Sequence, residues 1–535
     1  LTLVFYKSWQ RKWSQNARWN WDWAAGEAVQ QMEGLGLSTT FDKPRICLII
    51  PPSPFLTRER VFMNLGILRV AAVLEKAGHP VDLLDLSGIE NYLDVMADYL
   101  EESPVSIFGL TATTPQLPAT VNICYAIRIC RSDAKIILGG AHIIMVHASY
   151  KQEQNLRVEG RATRAMNKLY DLFDVLVVGD GEGAIFAAIR PDSPKLVDAG
   201  DPKSSLFLTE DQMNTLPLPS RHLIDVDGYE FMLDGQRALS IMSQQGCPYN
   251  CGFCGGRAAP CMRRVRARSI EATVSELMYL HNEYGVSGFM FYDDELNLIN
   301  TRMLKMMDAI TQAQRHLSCE FRLRGFVRSN LFTDEQASAM QQAGFRWILV
   351  GFESGSPRML HNMHKQATVE DNTRCMGFAK RHDLKVKAAM SIGHPGESRE
   401  TIAQTKDWLL QVRPDAIDVS IVTPYPGSPY YDQAVPCSDD GSIWVYTKDQ
   451  DRLYSYDVDY TTLEQYYKGR PDGGYTSYVF TDYLSAEDLV DLRGDLAREA
   501  RQAVGIPFNP EIGHTYYDRS ICRLPPSIFR TTRKQ

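Results

Sequence analysis

Apolar and polar positions alternate in short blocks from residue 45 onward, and the period of each block predicts its structure. The run ICLII at 46–50 reads as a buried strand. Over 64–77, Leu65, Leu68, Ala72 and Val73 fall on one helical face, with Gly78 as the stop. Further strands are expected at 81–86, 106–110, 135–140 and from 174, and a helix with proline in its first turn over 115–130. Strands alternating with helices imply an α/β fold with a doubly wound, Rossmann-like parallel sheet. Its ligand crevice should lie outside the carboxyl ends of the strands, where the loops 51–54, 111–114, 139–142 and 179–182 collect. Neither GxGxxG nor GxxxxGK[ST] occurs, which disfavours a dinucleotide or a P-loop nucleotide.

A second alternating region spans 238–425, with strands at 238–243, 286–292, 319–325, 347–352, 385–393 and 416–425 and helical patterns between them. Six β/α units are too few for a closed eight-fold barrel and suit a partial (β/α)6 TIM-like barrel, with chemistry at the carboxyl ends of its strands. The Pro-, Ser- and Asp-rich stretch 191–235 reads as a linker with little regular structure. After 436 the alternation stops. A tyrosine-rich stretch and an amphipathic helix over 485–504, N-capped by Ser485, predict a small α+β unit closing the open side of the barrel. Residues 1–44 carry Trp9, Trp13, Trp19, Trp21 and Trp23 without a clean period, and read as an extension packed over the main body or as a lid. The expected domains are therefore 1–44, 45–190, the linker 191–235, the barrel 236–435 and the closing unit 436–535.

Composition narrows the function. With 57 Lys+Arg against 65 Asp+Glu, the net charge of −8 argues against a nucleic-acid binder. No apolar run approaches the ~20 residues that span a bilayer, and the first residues lack a signal-peptide pattern, so a cytoplasmic protein without a membrane partner is expected. Of 11 cysteines, Cys47, Cys124, Cys130 and Cys375 sit singly in apolar stretches, as small buried hydrophobes do. Cys247, Cys251, Cys254 and Cys261 cluster instead, and in a reducing compartment such a cluster points to metal or redox chemistry.

The segment GCPYNCGFCGG at 246–256 places Cys247, Cys251 and Cys254 in CxxxCxxC spacing directly after the first barrel strand. Three thiolates on one loop can hold three irons of a [4Fe-4S] cluster and leave the fourth open. The alternative is zinc, with Cys261 or a histidine as fourth ligand. The loop resembles that of the radical S-adenosylmethionine (SAM) superfamily. FMFYDDELNL, LRG, AGFRWILVGFESGSPRMLHNMHK, SIGHPGES and TPYPGSPYY, with LGILRVAAVLEKAGHPVDLLDL, GLTATTPQ, ILGGAH and VVGDGEG upstream, resemble the subgroup that carries an N-terminal cobalamin-binding domain. The resemblance covers about residues 45–430.

The resemblance implies three cofactors, a [4Fe-4S] cluster, S-adenosylmethionine and cobalamin, and a mechanism. The open iron would chelate S-adenosylmethionine, one electron would release a 5′-deoxyadenosyl radical, and methylcobalamin would supply a methyl group to the substrate radical. It also implies roles. Phe253 would pack near the adenine, Asp293 and Asp294 would accept from the methionine ammonium, Arg324 would clamp its carboxylate, and Glu353 would contact the ribose or the ammonium. Leu65, Gly66, Thr111, Thr113, Gly139, Gly140, Gly179 and Glu182 would surround the corrin. No DxHxxG motif is present to give cobalt a histidine, and His79 and His142 lie in other contexts. Arg257, Arg263, Arg264, Arg266 and Arg268 read as a cofactor and structural patch.

The implied activity is C-methylation of an unactivated carbon of a small molecule, with a reductant such as flavodoxin or ferredoxin as partner. The alternatives are a non-methylating member that rearranges or cyclises its substrate, a methylthiotransferase of tRNA, and a corrinoid or iron-sulfur binding protein without catalysis. The methylthiotransferase normally carries a second cysteine triad and a basic tail. Here Cys47, Cys124 and Cys130 are embedded in expected secondary structure and the chain as a whole is acidic.

Overall fold

In the computed structural model, which describes residues 43–53, 59–463, 475–506 and 529–531, the first alternating region forms a parallel sheet with helices on both faces. The tryptophan-rich stretch falls outside the described residues. The strands are β1 (Ile46–Ile50), β2 (Val81–Asp85), β3 (Ile107–Thr111), β4 (Lys135–Gly139), β5 (Val175–Gly179) and β6 (Leu196–Ala199), in spatial order β2-β1-β3-β4-β5-β6. Residues Phe529–Thr531 return as an antiparallel edge strand beside β2. Every residue of β1 and β2 is buried, as expected when helices cover both faces of a sheet.

The stretch 191–235 is not the irregular linker its composition implied. It supplies β6 and the helix Glu210–Thr215, and buries Leu223, Ile224 and Tyr229 at 1% exposure each. Its Pro, Ser and Asp residues mark the turns between these elements. Together with one face of the first sheet and the outer face of the barrel, these side chains form one continuous core.

The barrel sheet follows. A hairpin joins β7 (Met232–Leu233) to β8 (Gln236–Ile241), with Asp234 and Gly235 at φ 44° and 81°. A two-stranded ribbon of β9 (Gln244–Gln245) and β10 (Arg266–Ala267) brackets the cysteine loop. The parallel strands β11 (Gly288–Phe291), β12 (Arg322–Phe326), β13 (Phe345–Glu353), β14 (Lys385–Ile392) and β15 (Ala416–Ile421) complete the order β15-β14-β13-β12-β11-β8-β7. Side chains alternate across the sheet. Leu323, Ile348, Val350, Phe352, Val386 and Ala388 are fully buried against the outer helices, while Arg322, Arg324, Glu353, Lys387 and Ser391 face inward.

Beyond the barrel, β16 (Val435–Pro436), β17 (Ile443–Lys448), β18 (Asp451–Tyr456) and β19 (Val479–Thr481) form an antiparallel sheet. The helix Ala486–Val504 starts at a capping box of Ser485 and Asp488 and lies along β15. Arg493 Nε donates to the Val419 carbonyl (2.8 Å) and Arg501 Nη2 to that of Ile417 (2.6 Å), which caps the exposed edge of the barrel sheet. Among the described residues, no helix is long and apolar enough to cross a membrane.

Polar contacts lock the two sheets together. Asp180, at the end of β5, accepts from both terminal nitrogens of Arg266 on β10 (2.5 and 3.0 Å) and from the Leu208 amide (2.9 Å). Arg161 stacks on Tyr431 with its guanidinium carbon 3.6 Å from the ring centroid. Ser149 Oγ donates to Asp432, and the Gly427 amide reaches both. Removing one partner of a buried pair strands the other charge, which costs about 3–5 kcal/mol. Arg266→Ala should therefore lower the unfolding free energy by about that amount in denaturant titrations, and adding Asp180→Ala should cost less than the sum of the two single changes.

Burial pushes the Asp432 carboxyl up to about 6, above its value near 3.9 in an unfolded chain. The folded state thus holds an extra proton between pH 4 and 6, so this group's contribution to stability falls as the pH rises through that window. Wild type minus Asp432→Asn, followed as unfolding free energy against pH, should show that decline and level off above about pH 6.5.

Candidate functional site

The cysteine loop leaves the ribbon at Gly246, whose φ of 91° suits glycine and whose amide donates to Asp294 Oδ2 (2.7 Å). Arg257 organises it from within by donating to the carbonyls of Cys247 and Tyr249. The Gly252 amide bonds to the Met363 carbonyl (2.8 Å), and the Tyr430 amide to the Gly252 carbonyl (2.9 Å). A Cβ on Gly252 would lie 2.4 Å from the Tyr430 ring. The loop is thereby held between the end of β13 and the turn after β15.

Cys251 is buried, and Cys247 and Cys254 are half-buried. Burial pushes the Cys254 thiol up to about 11, with Cys251 and Cys247 adding to the rise while Arg257 opposes it. Three thiols near enough to influence one another, on a loop ordered by a buried cation, fit a [4Fe-4S] cluster, whose binding would release their protons. Cys261 does not join them. It is buried with Ala148, Phe207 and Ala259, close to Gly200 of the first domain, so the zinc alternative loses that ligand.

Phe253 meets His394 edge-on at 5.4 Å. His394 is held by Tyr430 (3.1 Å) and Ser391 (3.0 Å), and burial lowers its pKa to about 3, which keeps the ring neutral. At the end of β11 the two aspartates diverge. Asp293 is buried and accepts from the amide and the hydroxyl of Ser243, which makes it a brace for the end of β8. Asp294 stays in contact with solvent, yet desolvation raises its pKa.

The register of the third strand moves one expected role. Arg324 lies inside β12, opposite Met290 and Trp347, and no thiol or carboxylate influences its charge. Arg328, which sequence reasoning missed, follows the strand and lies against the cysteine loop. It is 3% exposed, and its guanidinium carbon lies 3.5 Å from the Tyr249 ring centroid. Glu353, at φ 65°, pairs with Lys365 (2.8 Å), and a Cβ on Gly351 would meet both side chains. Glu295, raised to about 7 by burial, is influenced by Lys365, Arg328, Asp294 and Glu353. Asp294, Glu295, Glu353, Lys365 and Arg328 thus form one charged group beside Cys251. Its bases were hidden because neither the MHK nor the VRSN segment carries a pattern of its own.

The residues expected around the corrin all sit at the carboxyl edge of the first sheet. Gly66 is exposed in the first turn of the helix Leu65–Lys76, where an added Cβ would touch Asn64 Oδ1 (3.5 Å), and Leu65 beside it is buried. Thr111 and Gly139 end β3 and β4 and are half-buried. Gly140 and Gly179 allow close backbone approaches to Ala112 and Ala199, at φ 99° and 89°. Thr113 caps a turn with Gln116, and Glu182 pairs with Arg69 (3.0 Å). His142 is buried on Thr114 (3.0 Å), and His79 bonds Pro44 at the opposite edge. An exposed Gly66 and half-buried strand ends at Thr111 and Gly139 fit a flat ligand laid on this edge. The helix Ala141–Leu156 carries Met145 against Gly255 and Gly427, so that edge adjoins the cysteine loop.

Residues 241–409 match the family model of the radical SAM superfamily, and residues 55–188 that of the B12 binding domain. An uncharacterized methyltransferase of Pyrococcus horikoshii is 26% identical over 73% of this chain and 83% of its own length. The anaerobic magnesium-protoporphyrin IX monomethyl ester cyclase of Cereibacter sphaeroides is 22% identical over 68% of this chain and 59% of its own length. Among solved structures, the radical S-adenosylmethionine methyltransferase TsrM from Kitasatospora setae, with cobalamin and a [4Fe-4S] cluster bound, is similar in fold. It aligns with a TM-score of 0.57 at 16% identity, covering 86% of this chain and all of that one.

Gly252→Ala should shift the loop against Tyr430, costing about 1–3 kcal/mol and lowering the iron and sulfide bound per chain after reconstitution. Gly377→Ala, a helical position with nothing within 4 Å of the added Cβ, should leave the iron content unchanged and raise the melting temperature slightly.

Proposed function

Since this chain belongs to the cobalamin-dependent radical S-adenosylmethionine superfamily, we propose that it methylates an unactivated carbon of a small molecule. The observation that carries this reading is the contact of Met145 with Gly255 and Gly427, which sets the edge of the B12 binding domain against the cysteine loop. When bound, the cluster and the cobalamin supply the electron that cleaves S-adenosylmethionine and the methyl group that is transferred.

The protein holds and orients. Cys247, Cys251 and Cys254 hold the cluster. Phe253, stiffened by His394, forms a wall for the adenine. Asp294 accepts from the ammonium of S-adenosylmethionine, Arg328 faces its carboxylate, and Glu353 is held ready by Lys365 for the ribose or the ammonium. Leu65, Gly66, Thr111 and Gly139 would cradle the corrin. A reduced flavodoxin or ferredoxin delivers the electron. The methyltransferase relative and TsrM support methylation, whereas the cyclase relative supports a second reading in which the substrate radical closes a ring.

Anaerobic reconstitution with cobalamin, S-adenosylmethionine and a strong reductant tests this. The expected products are 5′-deoxyadenosine and S-adenosylhomocysteine, with Cys251→Ala lowering 5′-deoxyadenosine at least a hundredfold by mass spectrometry. Formation of 5′-deoxyadenosine without S-adenosylhomocysteine would favour the cyclising reading.

A further inference from the structure

Three cations on the inner face of the barrel have ion-pair partners. Arg322 pairs with Glu320 (3.0 Å), Lys385 with Asp234 (3.2 Å) and Lys387 with Asp418 (3.2 Å). Arg324 sits among them without an ion-pair partner among the described residues, and its Nε is buried with no hydrogen-bond acceptor. Burial alone pulls its pKa down to about 10. A crowded guanidinium without a counter-charge is costly for a fold to keep.

Its surroundings are aromatic and come from three parts of the chain. The guanidinium carbon lies 5.4 Å from the Phe231 ring centroid. Phe62, from the loop after β1, reaches across the domain boundary to Phe231 (5.2 Å) and to Tyr292 (5.4 Å). Tyr292, just after β11, remains 47% exposed. Two packed aromatic rings at a domain boundary and a half-exposed tyrosine thus surround an uncompensated cation that is itself only half-buried. This site is separate from the charged group beside Cys251. Arg328 and Lys365 influence Glu295 there, whereas burial alone shifts Arg324.

We propose that Arg324, walled by Phe62, Phe231 and Tyr292, receives a carboxylate of the molecule that is methylated, whose flat apolar part lies against the rings. The guanidinium fork matches a carboxylate through two parallel hydrogen bonds, and desolvated walls strengthen both. Phe62 belongs to the cobalamin-binding domain and Tyr292 to the barrel, so a molecule seated here would lie between the two cofactor sites. The word substrate rests on the methyl-transfer reading. The site itself does not.

The test is equilibrium binding to the reconstituted holoenzyme by titration calorimetry, with phenylacetate and indole-3-acetate as probes and benzyl alcohol and benzylamine as their neutral and cationic counterparts. The carboxylates should bind at least tenfold more tightly than the counterparts. Arg324→Gln should weaken them by on the order of ten- to a hundredfold, and Arg324→Lys should restore part of the loss. S-adenosylmethionine and cobalamin affinities, measured on the same variants with circular dichroism as a fold check, should not move. No preference for the carboxylates would overturn the proposal. So would a loss of S-adenosylmethionine affinity in a folded Arg324→Gln, which would give the guanidinium to that molecule, or a loss of cobalamin affinity, which would give it to the corrin's tail. The readout is binding, so carboxylate selectivity without S-adenosylhomocysteine formation would sink the methyl-transfer reading and leave the site standing.

Discussion

The arrangement of the whole molecule hangs on one buried ion pair, Asp180 with Arg266. Asp180 ends the fifth strand of the first sheet, and Arg266 lies on the short ribbon from which the cysteine loop springs. The same guanidinium donates to the carbonyls of Leu208 and Cys261, so it ties the connecting segment and the far end of the loop to one point. Two charges withdrawn from water this way hold little net energy against an apolar replacement, but they tolerate almost no displacement. Two cofactor sites built on separate sheets keep a fixed separation only if something that rigid joins them.

The charged group inside the barrel follows a similar logic at shorter range. Lys365 and Arg328 keep Asp294, Glu295 and Glu353 from repelling one another beside the cysteine loop. Glu353 takes a left-handed backbone conformation that favours glycine, at a place where the pairing of β13 with β14 slips by a residue. Strain of this kind persists where the neighbours over-determine it. Gly351, which makes room for the Glu353–Lys365 pair, is one such neighbour.

Much of this was legible in the sequence. The alternating blocks gave the two parallel sheets, and the CxxxCxxC spacing placed the triad after the first barrel strand. What escaped was set by contacts distant in sequence. Asp180 and Arg266 are 86 residues apart, and neither stands in a motif that announces its partner. The helix Ala141–Leu156 buries His142, His147 and Ser149 along with apolar residues, so no clean apolar stripe marks it. The strand LVDA of β6 is too short to stand out from its Pro- and Ser-rich flanks. Arg324 was the arginine expected at the end of the third strand, and Arg328 was not singled out. Only the register of β12 against its neighbours, with its shift between Leu323 and Arg324, separates the two.

The arginines that cap β15 bear on how the chain is made. Ile417 and Val419 lie on the last parallel strand, and the residues that satisfy their carbonyls, Arg493 and Arg501, arrive some eighty positions later. A ribosome will therefore have released a nearly finished barrel with one raw edge, a template for pairing with another nascent copy. The helix Ala486–Val504 doubles as the seal that closes this edge.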